Sequence, residues 1–216
     1  MQELLEKYKQ KRADIENRLA DFKAVWNESD DFIFAELAFC LLTPQSKAKT
    51  CWRAVTKLKE TGHLYNGSEH QIKSWLAGVR FYNEKAGHII AARTLFTNSG
   101  KIKIKETLQQ FKNLRGDIDA IQAREWLVKN IKGFGYKEAS HFLRNIGFYE
   151  DVAILDRHIL KNLIKYGAIK EFQKSLTPKK YMEIEDKMKE FSQRVDIPFS
   201  HLDLLFWSEE TGEIFK

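Results

Sequence analysis

The sequence predicts an all-α fold, and three observations lead there. Apolar residues recur at helical spacing along almost the whole chain. Only three prolines and eleven glycines punctuate its 216 residues, so helices have few forced ends. The one strand-like pattern, the alternation KIKIK from Lys101 to Lys105, is too short and isolated to build a sheet. Hydrophobic residues make up 43%, with 15 Phe and 5 Trp, enough for a real core in one or two compact domains and too many for a disordered chain. No apolar run approaches the roughly 18 residues of a membrane span, so no membrane is expected as a partner.

Leu4, Tyr8, Ile15, Leu19, Phe22 and Trp26 lie at helical spacing among Lys, Arg and Glu, which makes the first element an amphipathic helix. From Phe32 to Leu42 every residue but Glu36 is apolar, the signature of a helix buried on all sides at a domain's centre, and Pro44 stops it. Gln45 follows in the turn LTPQSK, before a helix marked by Ala48, Cys51, Trp52 and Val55. Ser68 and Gln71 form a capping box for a short helix with Ile72, Trp75 and Leu76. Gly78 ends it, and Phe81 sits in the connection to a helix with Ala86, Ile89, Ile90 and Leu95 on its apolar face. Helices resume at Leu108 and Phe111, and again from Asp119.

The stretch from Ile131 to Asp156, IKGFGYKEASHFLRNIGFYEDVAILD, organises the rest. Gly133 and Gly135 bracket Phe134 between two helical patterns, so the backbone turns in a tight hairpin that a side chain at either glycine would obstruct. Ala123, Trp126, Leu127 and Asn130 suit the incoming helix; Ala139, Phe142, Leu143 and Ile146 form the apolar stripe of the outgoing one. In such a helix-hairpin-helix unit, outward backbone N–H groups at the turn and the next helix N-terminus bind phosphate. Lys137, His141 and Arg144 fall on the opposite face, and Arg144, near the helix C-terminus, is expected to be a solvated cation. Lys137 sits in the first turn, where the helix dipole disfavours an ammonium, so a stabilising role predicts an acid there instead. The same field would favour the neutral amine that a nucleophilic lysine needs. Nineteen positions on, Asp156 follows the apolar run Val152 to Leu155 and precedes Ile159, Leu160, Leu163 and Ile164, a place that an ordinary helix N-cap also occupies.

Thr177 and Pro178 are the N-cap and N1 residues of a helix with Tyr181, Ile184, Met188, Phe191 and Val195 on one face. The last helix runs from about Ser200 to Thr211, with Gly212 just past its end, and Ile214 and Phe215 in the tail predict that the terminus docks. The net charge of +6 suits a polyanionic partner without demanding one. Cys40 and Cys51, the only cysteines, read as buried reduced thiols and rule out a four-cysteine cluster within the chain. No metal-binding motif accompanies the histidines; His141 and His158 read as satisfied polar residues. No signal pattern opens the sequence, so the cytoplasm is expected.

The hairpin GFG, the lysine two residues after it and the aspartate at that distance together resemble the helix-hairpin-helix DNA glycosylases that are also abasic-site lyases. The run GYKEASHFLRNIG, then DVAILDRHIL, then LDLLFWSEETGEIFK at the end, looks like the small archaeal-type 8-oxoguanine DNA glycosylase/lyases along nearly the whole chain. That resemblance implies two helical domains with a cleft between them: a central bundle over 31–147 carrying the hairpin, and a second domain of 1–30 with 148–216. It implies that Lys137 and Asp156 are the catalytic pair, on opposite walls of the cleft. It further implies Phe81 and Trp207 as base-stacking residues and Lys216 as a base contact through its terminal carboxylate. Gly133 and Gly135 would meet the DNA backbone. Gln45 would fill the gap left by a flipped base, though a turn residue bonding its own backbone explains it equally. The implied activity is excision of 8-oxoguanine from duplex DNA through a lysine Schiff base, then strand cleavage by β-elimination, by a monomer that needs no cofactor or metal. The residues alone also allow a non-catalytic helix-hairpin-helix DNA-binding module, or a related glycosylase with another damaged base.

Overall fold

Helix α2 (Asp30–Leu42) is the axis of one of two hydrophobic cores. Its composition explains why: ten of its thirteen residues are buried, and a helix apolar all round has no face to offer water. Each fully buried Leu, Ile or Phe there contributes on the order of 1.5–3 kcal/mol. The single acid, Glu36, is fully buried and accepts a hydrogen bond from Asn145 Nδ2 at 3.2 Å.

The structure is a computed structural model that describes residues 1–114, 116–172 and 175–215. Around α2 lie α3 (Ala48–Glu60), α4 (His63–Asn66), α5 (Glu69–Trp75), α6 (Tyr82–Phe96), α7 (Ile104–Leu108), α8 (Ala120–Asn130) and α9 (Tyr136–Asn145). The KIKIK stretch does not form a strand of its own length. Only Lys101–Ile102 (β2) pairs, antiparallel, with Thr97–Asn98 (β1), and helix α7 takes over at Ile104 because Ile104 and Leu108, four apart, are both fully buried. The expected caps form: Ser68 and Gln71 make a reciprocal capping box on α5, and Thr177 caps α11 (Pro178–Val195) ahead of its N1 proline.

The second core is built from the two ends of the chain. Leu4, Tyr8, Ile15, Leu19 and Phe22 of α1 (Gln2–Val25) pack with α10 (Arg157–Lys165), α11 and α12 (Phe199–Thr211). Tyr8 Oη lies 2.9 Å from His201 Nδ1, joining α1 to α12 inside this core. Along the chain the change of core falls between Val152, the last residue of the first, and Ala153. Trp26 and Phe148, edge to face at 4.8 Å, pack against the first core where the chain passes between the two.

Candidate active site

The hairpin leaves α8 at Asn130 and enters α9 at Tyr136, closed by a hydrogen bond from Phe134 N–H to Ile131 O at 3.1 Å. Gly133 is needed twice over: its φ is +92°, and a Cβ would fall 2.5 Å from His88 Nδ1 on α6. Gly135 meets the expectation by close approach and not by conformation. Its backbone is extended at φ −106°, and the demand there is space, since a Cβ would come within 3.2 Å of Glu138 Oε2. That carboxylate caps α9 by accepting the Gly135 N–H at 3.2 Å, so one hairpin donor already has a partner inside the protein. Ala139, Phe142, Leu143 and Ile146 are all fully buried and fix α9 to the first core.

The opposite face of α9 is not solvated. His141 is 8% and Arg144 5% exposed: the His141 ring meets Phe39 of α2 edge to face at 5.5 Å, and Arg144 turns towards Phe22 of α1 and Asp203 of α12. Arg144 Nη1 donates to Asp203 Oδ2 at 2.8 Å, Nη2 donates to Asn145 Oδ1 at 3.1 Å, and the guanidinium covers the Phe22 ring at 4.9 Å. The solvated cation expected at Arg144 is therefore a buried ion pair that ties α9 to α12. Lys137, in the first turn of the helix, is the member of this face that reaches open space, with 30% of its side chain exposed and Nζ 2.9 Å from Glu138 Oε1.

Asp156 arrives from the other core. It caps α10, its Oδ1 accepting from His158 N–H at 2.8 Å and Ile159 N–H at 2.9 Å. Burial pushes its carboxyl up from the usual aspartate range; the two amide hydrogen bonds and the nearby charges of His158 and Lys137 pull the other way without prevailing. Lys137 and Asp156 line one cavity of about 990 Å³, which also takes in Gln45, Arg80, His141, Trp207 and Phe215. This is as large as most ligand sites become. A second concavity of about 890 Å³ is lined by Asp30, Asp31, Arg93, Lys101 and Lys103, away from the hairpin, and its arginine is tied to the Leu64 and Gly67 carbonyls at 3.3 and 2.9 Å.

The other expected residues are placed as follows. Gln45 lines the cavity at φ +55°, in a turn held from beneath by Lys85, whose Nζ donates to Leu42 O and Pro44 O, both at 2.7 Å, and to Ser46 Oγ at 3.1 Å. Lys85 went unread in the sequence, although its position beside Ala86 and Ile89 puts a lysine on a buried face; burial pulls its amine down in pKa. Trp207 lines the cavity and meets His158 edge to face at 5.1 Å. Phe81 is 46% exposed at φ +58°, beneath the Arg80 guanidinium at 5.1 Å; Arg80 lines the cavity and Phe81 does not. In the tail, Ile214 packs on the second core, Phe215 on the first, and Glu213 pairs with Lys49 at 2.8 Å. Lys216 lies outside the described residues. Both cysteines are buried and neither is in a disulfide; burial pushes the Cys51 thiol up to about 11, out of the range of a reactive thiolate.

The described residues thus build a helix-hairpin-helix beside a cavity that is lined both by a first-turn lysine and by an aspartate capping a helix of the other core. The family model for 8-oxoguanine DNA glycosylase matches residues 15–197. An 8-oxoguanine DNA glycosylase/AP lyase of Fusobacterium nucleatum is 46% identical over 210 residues, covering 97% of this chain and 94% of that one. The crystal structure of the Methanocaldococcus jannaschii 8-oxoguanine glycosylase/lyase with a 15mer DNA containing 8-oxoguanine superposes with a TM-score of 0.85 at 35% identity, over 100% of both chains. The 8-oxoguanine DNA glycosylase of Thermotoga maritima does so at 0.84 and 31%, over 100% of this chain and 97% of that one. The chain belongs to the 8-oxoguanine DNA glycosylase family. Among the described residues no helix is long and apolar enough to cross a membrane.

Proposed function

We propose that this protein excises 8-oxoguanine from duplex DNA and then cleaves the strand, acting as glycosylase and abasic-site lyase through Lys137. The observation that carries the reading is the shared cavity: an amine from the hairpin helix and a partly buried carboxylate from the other core line one space between the two cores. On this reading the chain divides into two domains, 31–147 and 1–30 with 148–216, whose bounds follow the two cores only approximately, since Trp26, Phe148 and Val152 pack with the first, and the chain works as a monomer in the cytoplasm. The hairpin at Gly133 and Gly135 binds the backbone, and the damaged nucleotide swings into the cavity. Trp207 offers an aromatic face to the base, whereas Phe81 lies outside the cavity's lining and is not assigned that role; Gln45 fills the vacated stack, and Lys216 supplies its terminal carboxylate to the base edge.

For the chemistry, the Lys137 amine must leave Glu138 and shed a proton before its lone pair can attack C1′. The bond from C1′ to the base breaks as the new C–N bond forms, and the base leaves with the bonding pair. Asp156 faces the positive charge that grows on the sugar, and its carboxylate, held by two amides, can also take a proton from the amine. Opening of the sugar ring gives the Schiff base. Loss of a C2′ proton then expels the 3′ phosphate by β-elimination.

Borohydride with a duplex carrying 8-oxoguanine tests this. A covalent adduct with wild type, lost in Lys137→Gln while duplex binding persists, is the expected result. Trapping that survives in Lys137→Gln moves the nucleophile elsewhere, and none with any damaged duplex favours a DNA-binding module without catalysis.

A further inference from the structure

The segment that delivers Asp156 to the cavity is extended and has no sheet partner. Val152, Ala153, Ile154 and Leu155 are nevertheless 5%, 2%, 8% and 4% exposed, so their backbone groups need partners from within the protein. Side chains of α11 supply them. Ala153 N–H donates to Glu185 Oε1 at 2.6 Å, the Tyr181 hydroxyl donates to Ala153 O at 2.6 Å, and Leu155 N–H donates to the same hydroxyl at 3.2 Å. Two side chains thus replace a neighbouring strand.

The same groups reach back to the hairpin. Arg124, on the helix leading into it, is fully buried and grips both Glu185 oxygens, at 2.6 and 2.8 Å. Arg124 Nη1 also donates to Ser140 Oγ at 3.2 Å, and the Tyr181 hydroxyl lies 3.5 Å from that oxygen. Ser140 is on α9, three residues beyond Lys137. A buried ion pair rarely stabilises a fold better than apolar residues of the same size, so its placement calls for another reason. Here the placement joins the helix of the proposed nucleophile to the segment that ends at Asp156.

We propose that Tyr181 and Glu185, clamped by Arg124, are positioning residues that set where Asp156 stands relative to Lys137. The inference rests on the role given to Asp156 above. A misplacement of about 1 Å costs on the order of a hundredfold in rate, so a strap of this kind is worth having.

Single-turnover excision of 8-oxoguanine tests it as a cycle. Tyr181→Phe in the wild-type background is expected to lower the rate at least tenfold, with duplex affinity within twofold. In the Asp156→Asn background the same substitution should cost less than twofold, because there is no aspartate left to position. Ile15→Ala, in the same core but on α1, controls for lost stability and should leave the rate within twofold. Equal losses in both backgrounds, no loss at all, or a matching loss in Ile15→Ala would overturn the strap. Should Tyr181→Phe not fold, Glu185→Gln takes its place with the same expected pattern and the same overturning results. An Asp156→Asn protein that excises at the wild-type rate would remove the reading of Asp156, and this inference with it. Equal losses alongside a crippled Asp156→Asn would sink the strap alone.

Discussion

Lys137 Nζ and Glu138 Oε1 are 2.9 Å apart, and the other oxygen of the same carboxylate accepts the Gly135 N–H. One acid therefore holds both the amine and the hairpin that presents it. Glu138→Gln keeps an acceptor for the hairpin amide, since Gln also completes a capping box, but removes the ion pair. We expect its borohydride trapping on a pre-formed abasic site at neutral pH to be severalfold faster than wild type, with thermal stability lowered by less than about 1 kcal/mol. An unchanged trapping rate would show that releasing Lys137 is not a hindrance to attack.

Asp156 should behave oppositely in stability and in catalysis. Its carboxyl is raised above the ordinary value of 3.8, so ionising it costs more in the folded than in the unfolded protein. The folded state then binds the more protons, and this group's contribution to stability falls as pH rises from that ordinary value through the raised one. Asp156→Asn retains an N-capping oxygen and escapes the cost. Denaturant melts should find the variant at least as stable as wild type at pH 7, with the difference closing below pH about 4, while base excision drops a hundredfold or more. A variant less stable at neutral pH would mean that the charge, not its desolvation, dominates at this cap.

The pair Arg144–Asp203 joins the cores beside the cavity, and breaking one half leaves a buried charge. Asp203→Asn is expected to lose about 3–5 kcal/mol, and the double variant Arg144→Met with Asp203→Leu to recover most of it. Urea midpoints for the three proteins decide the matter. A single variant within about 1 kcal/mol of wild type would mean that water reaches the guanidinium.

The tail offers a separation of activities. Ile214 and Phe215 dock on different cores, Glu213 reaches Lys49, and both Glu213 and Phe215 line the cavity. Deleting Lys216 should reduce excision of 8-oxoguanine at least tenfold and cleavage of a pre-formed abasic site less than threefold, because the second needs no base recognition. Equal losses on both substrates would overturn the proposed role of Lys216 in base recognition.

The sequence alone determined the local features whose causes are local. The all-apolar run of α2, the capping box of Ser68 and Gln71, the Thr177–Pro178 start and the glycine turn at Gly133 each follow from a few neighbouring residues. The family motif also placed Lys137 and Asp156 in one cavity's lining before any coordinates did so. What only the tertiary structure decided is how distant segments change a residue's surroundings. Arg144 reads as a surface cation by its helical position, and becomes buried because Asp203, fifty-nine residues away, comes to meet it. Ile214 and Phe215 read alike as tail residues that dock, and only the fold sends the first to one core and the second to the other. Tyr181 reads as part of the apolar face of a helix and Glu185 carries no reading at all, yet together they hold the backbone ahead of Asp156. Spacing along a helix fixes which face a side chain occupies; which element packs on that face, and with what charge, is settled only when the chain folds back on itself.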